Sequence, residues 1–211
     1  MEPPLGTSFD ELFARAPVMA ILRGFSVERT VEIATAAWDL GIDCVEVPIQ
    51  TPSAVAALRA TVEAATARGK TVGAGTIISY EHVRQAADAG AAFTVSPGID
   101  PEIVRRSLEA GLPILPGVAT ASEIQLAQRL GLDWVKAFPA ALLGSAWFTS
   151  MHGPFPGIRF AATGGIDANN AQEFLKAGAR VVALGSSLAD PSSLPAIADL
   201  LRSEGTAKAN S

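Results

Sequence analysis

The residues of this chain best suited to chemistry lie inside short apolar segments. The chain has four lysines, and only Lys136 lies within such a segment, DWVKAF (133–138). A buried lysine needs a partner or a purpose, and an apolar environment favours the neutral amine that attacks a ketone to form a Schiff base. A strand lysine can also extend outward between helices and reach solvent. The residue type alone leaves both interpretations open.

Glu46 is the second candidate, because it is flanked by valines in CVEVPI (44–49). A buried carboxyl group with a raised pKa can move protons as a general acid or base. A carboxylate that only neutralises a buried cation is the simpler explanation when Glu46 is considered alone. An interior lysine changes this balance, since a lysine and a carboxyl group are the minimal set for imine formation and proton transfer.

Other candidates follow the predicted strands. Arg23 closes the first predicted strand, in AILRG, and can hold a carboxylate or phosphate, although a salt bridge at the rim is a nearly equal alternative. Thr76 ends GAGT, where a small hydroxyl can bind a keto-acid carboxylate. Backbone amides after the last two strands often form a phosphate site in barrels. Four residues in ATGGI and LGSS are candidates for that site: Gly164, Gly165, Gly185 and Ser186.

The elements that must position these residues alternate along the chain. Short apolar segments punctuated by Gly or Pro predict strands that are buried on both faces. They cover residues 18–24, 44–49, 71–76, 92–98, 113–117, 133–138, 158–163 and 180–185. Amphipathic segments, most of which end at a glycine, predict helices between them. They cover residues 27–41, 53–69, 79–90, 100–111, 121–131, 167–178 and about 192–202.

This alternation predicts an α/β protein with a (β/α)8 TIM barrel, formed as one domain over residues 1–211. In such a barrel the active site lies at the carboxyl ends of the strands. We expect an extra N-terminal helix over 8–15, because Ser8 and Glu11 have the spacing of a capping box, and we place it across the barrel bottom. Residues 204–211 are expected to be a disordered tail.

Composition argues against several function classes. Net charge is −5 and no basic run is visible, so we expect no nucleic-acid partner. No long uncharged apolar stretch or signal peptide is recognisable, so we expect neither a membrane span nor export. The single cysteine, Cys44, allows no internal disulfide and fits a cytoplasmic location. His82 and His152 are not near carboxylates with ligand spacing, so no metal is expected.

Eight ordered motifs together resemble a known family. They are AILRG, VEVPIQTP, GAGT, FTVSPG, LPGVATASE, VKAFPA, ATGGI and LGSS, and they extend over residues 18–190. This set resembles the bacterial 2-keto-3-deoxy-6-phosphogluconate aldolases and their relatives that act on 2-keto-4-hydroxyglutarate or 2-keto-3-deoxy-6-phosphogalactonate. The resemblance implies a class I aldolase that uses no metal or cofactor, takes a small keto-acid substrate and is usually a homotrimer.

The resemblance also assigns roles to residues. It implies that Lys136 forms the Schiff base, that Glu46 is the general acid and base, and that Thr76 contacts the pyruvate half of the substrate. Phe138 corresponds to the aromatic residue beside the lysine, and Pro97 to the proline near the pocket. The phosphate end corresponds to Gly164, Gly165 and Ser186.

One position departs from the gluconate-type pattern. Many of those relatives have an arginine four residues after the glutamate, where this chain has Gln50. Galactonate-type relatives carry an amide there and keep the arginine of AILRG, so Gln50 favours a galactonate-type substrate. The usual PTGGI motif also begins with Ala162 here, which we expect to matter little.

The predicted reaction cleaves a 2-keto-3-deoxy-6-phospho sugar acid to pyruvate and glyceraldehyde 3-phosphate. Cleavage of 2-keto-4-hydroxyglutarate to pyruvate and glyoxylate is a related possibility. Two alternatives stay open at this point. A phosphate-binding barrel isomerase or synthase could use the same residues without a covalent intermediate, and a non-catalytic barrel could bind a sugar acid as a sensor.

Overall fold

The computed structural model describes residues 8–14 and 16–209, and its centre is one parallel sheet curled into a barrel. Adjacent strands follow the order β5-β4-β3-β2-β1-β9-β8-β7-β6. The nine strand segments are β1 Val18–Ile21, β2 Cys44–Pro48, β3 Val72–Gly75, β4 Phe93–Val95, β5 Ile114–Leu115, β6 Gly117–Val118, β7 Trp134–Ala137, β8 Arg159–Ala162 and β9 Val181–Leu184. The predicted TIM-barrel fold class is confirmed.

The fifth predicted strand, 113–117, is divided at Pro116 into β5 and β6. Proline has no backbone N–H and interrupts a ladder of hydrogen bonds. The first part pairs with β4 and the second with β7, where the Lys136 amide donates to the Pro116 carbonyl at 2.8 Å. The barrel therefore closes through one interrupted strand, and this division explains why nine segments replace the eight predicted strands.

Side chains alternate between the barrel interior and the surrounding helices, as strand geometry requires. On β7, Trp134 belongs to the interior cluster of apolar residues, and Val135 belongs to the cluster that packs under the helices. The same alternation turns Lys136 inward. The lower interior is filled by large residues such as Met19 and Phe93, which are fully buried.

Helices surround the barrel and connect its strands. They are α1 Phe9–Leu12, α2 Val27–Asp39, α3 Pro52–Thr66, α4 Tyr80–Asp88, α5 Pro101–Glu109, α6 Ala121–Arg129, α7 Ala140–Leu143, α8 Ser145–His152, α9 Ala171–Lys176 and α10 Leu194–Ala209. Two short 3-10 turns, Ser186–Ala189 and Pro191–Ser193, follow β9. Among the described residues, no helix is long and apolar enough to cross a membrane.

Three helical regions differ from the sequence prediction. Helices α7 and α8 lie in a segment for which no helix was predicted. Helix α9 is shorter than the predicted 167–178, because Asp167 accepts hydrogen bonds from the amides of Asn169 and Asn170 and forms a turn before the helix. Helix α10 continues past Arg202 to Ala209, so helix covers part of the segment for which the sequence predicts disorder.

The extra N-terminal helix is confirmed in α1, where Ser8 and Glu11 form the expected capping box. It closes the barrel bottom: the ring of Phe9 lies edge-on to Phe93, and the ring of Phe13 lies 5.0 Å from that of Trp134. The predicted helix reached residue 15, which lies outside the described residues.

Candidate active site

A cavity of about 510 Å³ opens at the carboxyl ends of the strands. Barrel enzymes bind their substrates at this end. The cavity is lined by Ile21, Arg23, Phe25, Lys136, Phe138, Thr163, Gly164, Gly165, Ile166, Ala183, Gly185 and Ser186. Most of the predicted site residues therefore meet in one place, although they come from strands that are far apart in the sequence.

Lys136 reaches this cavity from the interior face of β7 and is only 4% exposed. Its Nζ lies 5.1 Å from the centre of the Phe138 ring, two residues further along the chain. An aromatic face attracts a cation and also shields an amine from bulk water. The outward orientation considered from the sequence is therefore not found, and the amine lies where a bound ketone could meet it.

A glycine also lies close to the ring of Phe138. A Cβ on Gly164 would lie 3.1 Å from that ring, and the residue has a φ of +93°. Both the tight contact and the left-handed backbone favour glycine at this position. Gly164 thus permits the wall of the cavity to approach the aromatic group beside the lysine.

Glu46 is fully buried on β2, and neither of its carboxylate oxygens has a hydrogen-bond partner among the described residues. Its side chain lies over Gly75 of β3, where an added Cβ would be only 1.7 Å from Oε1. Burial raises the pKa of Glu46, and the positive charges of Lys136 and Arg23 partly oppose that shift. A carboxyl group whose neutral form is favoured by burial and whose ionised form is favoured by nearby cations can both give and accept a proton.

Arg23 and Thr76 form one side of the site. The guanidinium of Arg23 donates to Thr76 Oγ1 at 3.3 Å, and its charge also lowers the pKa of Glu46. Thr76 has a φ of +61°, which makes it the one non-glycine residue with a left-handed backbone among those the structure describes. A β-branched residue adopts this conformation only under strain, and such strain is concentrated at functional sites.

The opposite side of the cavity presents backbone amides. Gly165 has a φ of +75°, and a Cβ there would lie 2.5 Å from the side chain of Ala141. Gly185 precedes the 3-10 turn that begins at Ser186. Within residues 8–14 and 16–209, the amides of Gly164, Gly165, Gly185 and Ser186 donate no hydrogen bond to another residue. Unpaired amides that converge on a cavity are suited to bind an anion.

Four predicted residues do not line this cavity, and two of them line separate depressions. Gln50 lines a separate depression together with His82 and Gln85, and Pro97 lines another beside Ile99. The other two are Glu46 and Thr76. Glu46 lies over Gly75 at the end of β3, and Thr76 accepts a hydrogen bond from Arg23, which lines the cavity; neither Glu46 nor Thr76 lines the cavity itself. Only the resemblance suggested roles for Gln50 and Pro97, and this arrangement of the side chains does not bring them to the lysine.

Thr163 is a lining residue that sequence reasoning missed. It is 1% exposed, and its hydroxyl has no hydrogen-bond partner among the described residues. A buried polar group without a partner is rare and needs an explanation, and a ligand in the cavity would supply one. The signal was present in ATGGI, but the prediction considered only the glycines of that motif and overlooked the threonine.

A parallel barrel with a sheltered amine, a buried unpaired carboxyl group and convergent amides at one mouth defines a class of barrel enzymes that work on anionic carbonyl compounds. A family model described as KDPG and KHG aldolase matches residues 9–200. The chain therefore belongs to this family, and it is a class I aldolase, a carbon–carbon lyase.

Individual relatives agree with this assignment. The chain is 39% identical to a 2-dehydro-3-deoxy-phosphogluconate aldolase of Treponema pallidum over 90% of this chain and 89% of the relative. It is 34% identical to a probable 2-dehydro-3-deoxy-6-phosphogalactonate aldolase of Rhizobium meliloti, over 83% and 82%. A solved KDPG aldolase from Legionella pneumophila, with pyruvate captured as a covalent carbinolamine, has a TM-score of 0.80 and 30% identity, over 92% of this chain and 97% of that one.

Proposed function

We propose that Lys136 forms the Schiff base with a 2-keto-3-deoxy-6-phospho sugar acid and that Glu46 moves the protons of the reaction. The observation that carries this proposal is the pairing of an inward, 4% exposed lysine with a fully buried carboxyl group that lacks a partner. The covalent pyruvate adduct described for the Legionella pneumophila enzyme supports the same chemistry here. Products are pyruvate and glyceraldehyde 3-phosphate.

The reaction begins when the neutral amine of Lys136 attacks the C2 ketone and forms a C–N bond. Glu46 protonates the carbinolamine hydroxyl, which leaves as water and gives the protonated imine. The resulting carboxylate, directly or through a water, removes the C4 hydroxyl proton. Electrons of the C3–C4 bond then pass to the imine nitrogen, the aldehyde leaves, and the enamine is reprotonated and hydrolysed to release pyruvate and Lys136.

The raised pKa of Glu46 suits this double role. Burial favours the neutral acid, which the dehydration step needs, and the charges of Lys136 and Arg23 keep the carboxylate accessible for the cleavage step. A positioned acid or base typically contributes about 10²–10⁴-fold to a rate. The resting carboxyl group has no competing hydrogen bond among the described residues, so no such bond has to break before it acts.

Substrate binding divides between the two sides of the cavity. We assign the carboxylate end to Arg23 and Thr76, and the phosphate end to the amides of Gly164, Gly165, Gly185 and Ser186. The unpaired hydroxyl of Thr163, which also lines the cavity, is suited to bind a substrate hydroxyl. We keep Phe138 as the wall beside the amine, and Gln50 and Pro97 as residues that could contribute only if their loops move.

Borohydride reduction in the presence of pyruvate tests the proposal directly. The wild-type protein should gain the mass of a reduced pyruvate adduct, and peptide mapping should locate it at Lys136. The Lys136→Ala variant should gain no adduct and lose turnover, whereas Lys176→Ala, which changes a helix-end lysine, should behave as wild type. Near-normal turnover in Lys136→Ala would show that Lys136 is not the Schiff-base residue.

A substrate panel distinguishes the relatives' activities. Pyruvate release should be measured with phosphogluconate-type, phosphogalactonate-type and hydroxyglutarate-type keto acids under identical conditions. Gln50 favours the galactonate-type compound, which we expect to give the highest kcat/KM. A highest kcat/KM with the gluconate-type compound would instead assign this chain the activity named for its Treponema pallidum relative.

We also propose a cytoplasmic homotrimer. A charged fraction of 18% and exposed apolar residues, including Ile78 (61% exposed) and Leu142 (86% exposed), support burial of surface between subunits. Cys44 is buried and unpaired by disulfide, which is compatible with a reducing compartment. Light scattering coupled to size-exclusion chromatography should give three times the chain mass, and a mass of one chain would exclude the trimer.

A further inference from the structure

We propose that His82 is a positioning residue for the carboxylate side of the site and acts through the backbone of Thr76. This inference rests on the proposed function, because it assumes that Arg23 and Thr76 hold the keto-acid carboxylate. The juxtaposition that carries it is a histidine nitrogen placed against the carbonyl oxygen of Thr76, the non-glycine residue with a positive φ among those the structure describes.

Thr76 needs outside support for its conformation. Its φ of +61° brings a β-branched side chain into the left-handed region, which the isolated chain avoids. A strained residue persists only where its surroundings fix it. After the turn, the Ile77 amide donates to the Val95 carbonyl at 3.0 Å, which anchors the chain to β4. The turn itself therefore needs a second contact, on the other side of Thr76.

His82 supplies that contact. Its Nδ1 lies 3.1 Å from the Thr76 carbonyl oxygen and 3.4 Å from the Ile78 amide nitrogen. As a donor, Nδ1–H binds the carbonyl, and as an acceptor, Nδ1 takes the amide proton, so either tautomer holds the same three-residue turn. The backbone of His82 is itself fixed, because its amide donates to the N-cap hydroxyl of Ser79 at 3.2 Å.

The support reaches the cavity through one further bond. Thr76 Oγ1 accepts from Arg23, and Arg23 lines the cavity that contains Lys136. If Thr76 relaxed to an ordinary φ, its hydroxyl would turn away and Arg23 would lose a fixed partner. His82 itself lines the separate depression beside Gln50. It is therefore a positioning residue, and its loss should weaken keto-acid binding more than it slows chemistry at Lys136.

Pyruvate trapping by borohydride separates binding from chemistry. In His82→Leu, the pyruvate concentration for half-maximal trapping should rise by roughly 3- to 30-fold, the scale of one or two lost hydrogen bonds. Trapping at saturating pyruvate should stay within about two-fold of wild type. His82→Asn, which keeps a polar atom near the position of Nδ1, should recover most of the loss.

The other histidine offers a matched control. His152 Nε2 lies 2.9 Å from the Gly178 carbonyl, away from the cavity, so His152→Leu also removes a histidine–carbonyl contact. It should lower stability without changing the half-saturating pyruvate concentration. An equal rise in both leucine variants, or no rise in His82→Leu, would overturn the proposal.

The Thr76→Gly variant tests whether His82 acts on the site through the backbone of Thr76. Glycine adopts a positive φ without strain, so His82→Leu should change half-saturation by less than about two-fold there. An undiminished effect would overturn the route through Thr76.

A failure of the proposed function can be recognised separately. If the wild-type protein trapped no pyruvate, Lys136 chemistry would be wrong, and hydrogen exchange would still test His82. The amides of residues 76–79 should then exchange faster in His82→Leu than in the wild type, and at the wild-type rate in His152→Leu. Unchanged exchange in His82→Leu would exclude the positioning role by itself.

Discussion

The two ends of this barrel treat polar side chains in opposite ways. At the bottom, Arg159 pairs with Asp10 and Asp133 and lies over the ring of Trp134, whose indole N–H also donates to Asp10. At the top, Glu46 and the hydroxyl of Thr163 are buried without partners among the described residues. Satisfied groups stabilise a fold, whereas unsatisfied ones lower its stability unless a ligand completes them. This chain therefore pairs its polar groups with one another at the bottom and leaves those at the top available for chemistry.

Two glycines on the inward face of β3 lie against the two ends of the barrel. A Cβ on Gly75, near the top, would lie 1.7 Å from Oε1 of Glu46, whereas a Cβ on Gly73, near the bottom, would lie 2.1 Å from the ring of Phe93. We predict that Gly75→Ala lowers kcat by about 10²–10⁴-fold, because Glu46 must leave its position. Because the flexible side chain of Glu46 can move aside, the free energy of unfolding should change little. Steady-state kinetics and thermal unfolding measure the two effects.

The matched substitution Gly73→Ala should give the reverse result. Phe93 is fully buried against Phe9 and cannot move freely, so the free energy of unfolding should fall by roughly 1–3 kcal/mol. The kcat of the remaining folded protein should stay near that of wild type. If the two alanine variants lost activity and stability in the same proportion, the division between the ends would be wrong.

The unpaired carboxyl group of Glu46 at the top should make stability depend on pH. Since burial raises the pKa of Glu46, the native state holds its proton at pH values where the unfolded chain has released it. Stability of the wild type should therefore fall, relative to Glu46→Gln, as pH rises from about 4.3, the ordinary glutamate pKa, through the raised pKa of the folded protein. At pH 8 the difference should favour the variant, although turnover drops.

Glu102, on the surface of α5, is the control of opposite sign. Hydrogen bonds from Arg105 lower its pKa, so its contribution to stability is present at neutral pH and disappears as pH falls below the ordinary glutamate range. Glu102→Gln should therefore be no more stable than wild type at pH 8. Denaturant unfolding of both variants between pH 4 and 8 provides the measurement, and parallel pH curves for Glu46→Gln and wild type would contradict the account.

The sequence predicted most of the barrel, since its strands are buried on both faces and its helices end at glycines. The pattern failed where a proline interrupts strand pairing inside an apolar segment and where helices form without a clear local signal. Pro116 divides a strand whose apolar run looks continuous, and α7 and α8 form in a segment with no clear amphipathic period. Helix α10 continues through Gly205, which in the sequence resembles a stop.

The site was predictable only in part. Lys136 was recognisable as the one lysine inside a strand, and its inward direction follows from the alternation along β7. The positive φ of Thr76 was not predictable, because threonine rarely adopts it and the support comes from a residue on the next helix. The distance of Gln50 from the cavity depends on a loop direction that spacing does not specify.

The smallest effect belongs to the paired charges at the bottom. Arg159→Ala removes two ion pairs and the contact with Trp134, but Asp10 and Asp133 are largely exposed, so solvent screening limits the loss to about 1 kcal/mol. Arg159 lowers the pKa of Asp10, and this part of the stability is lost as pH falls below about 3.9, so the stability penalty of Arg159→Ala should shrink in acid.

Asp133→Asn should lower stability less than Arg159→Ala, since it leaves α1 joined to Arg159 through Asp10. Chemical denaturation measures these differences, and kcat should stay within about two-fold of wild type. A larger change in kcat, with the protein still folded, would mean that the α1 contacts at the bottom help to position Lys136 through β7, and that the two ends are coupled rather than separate.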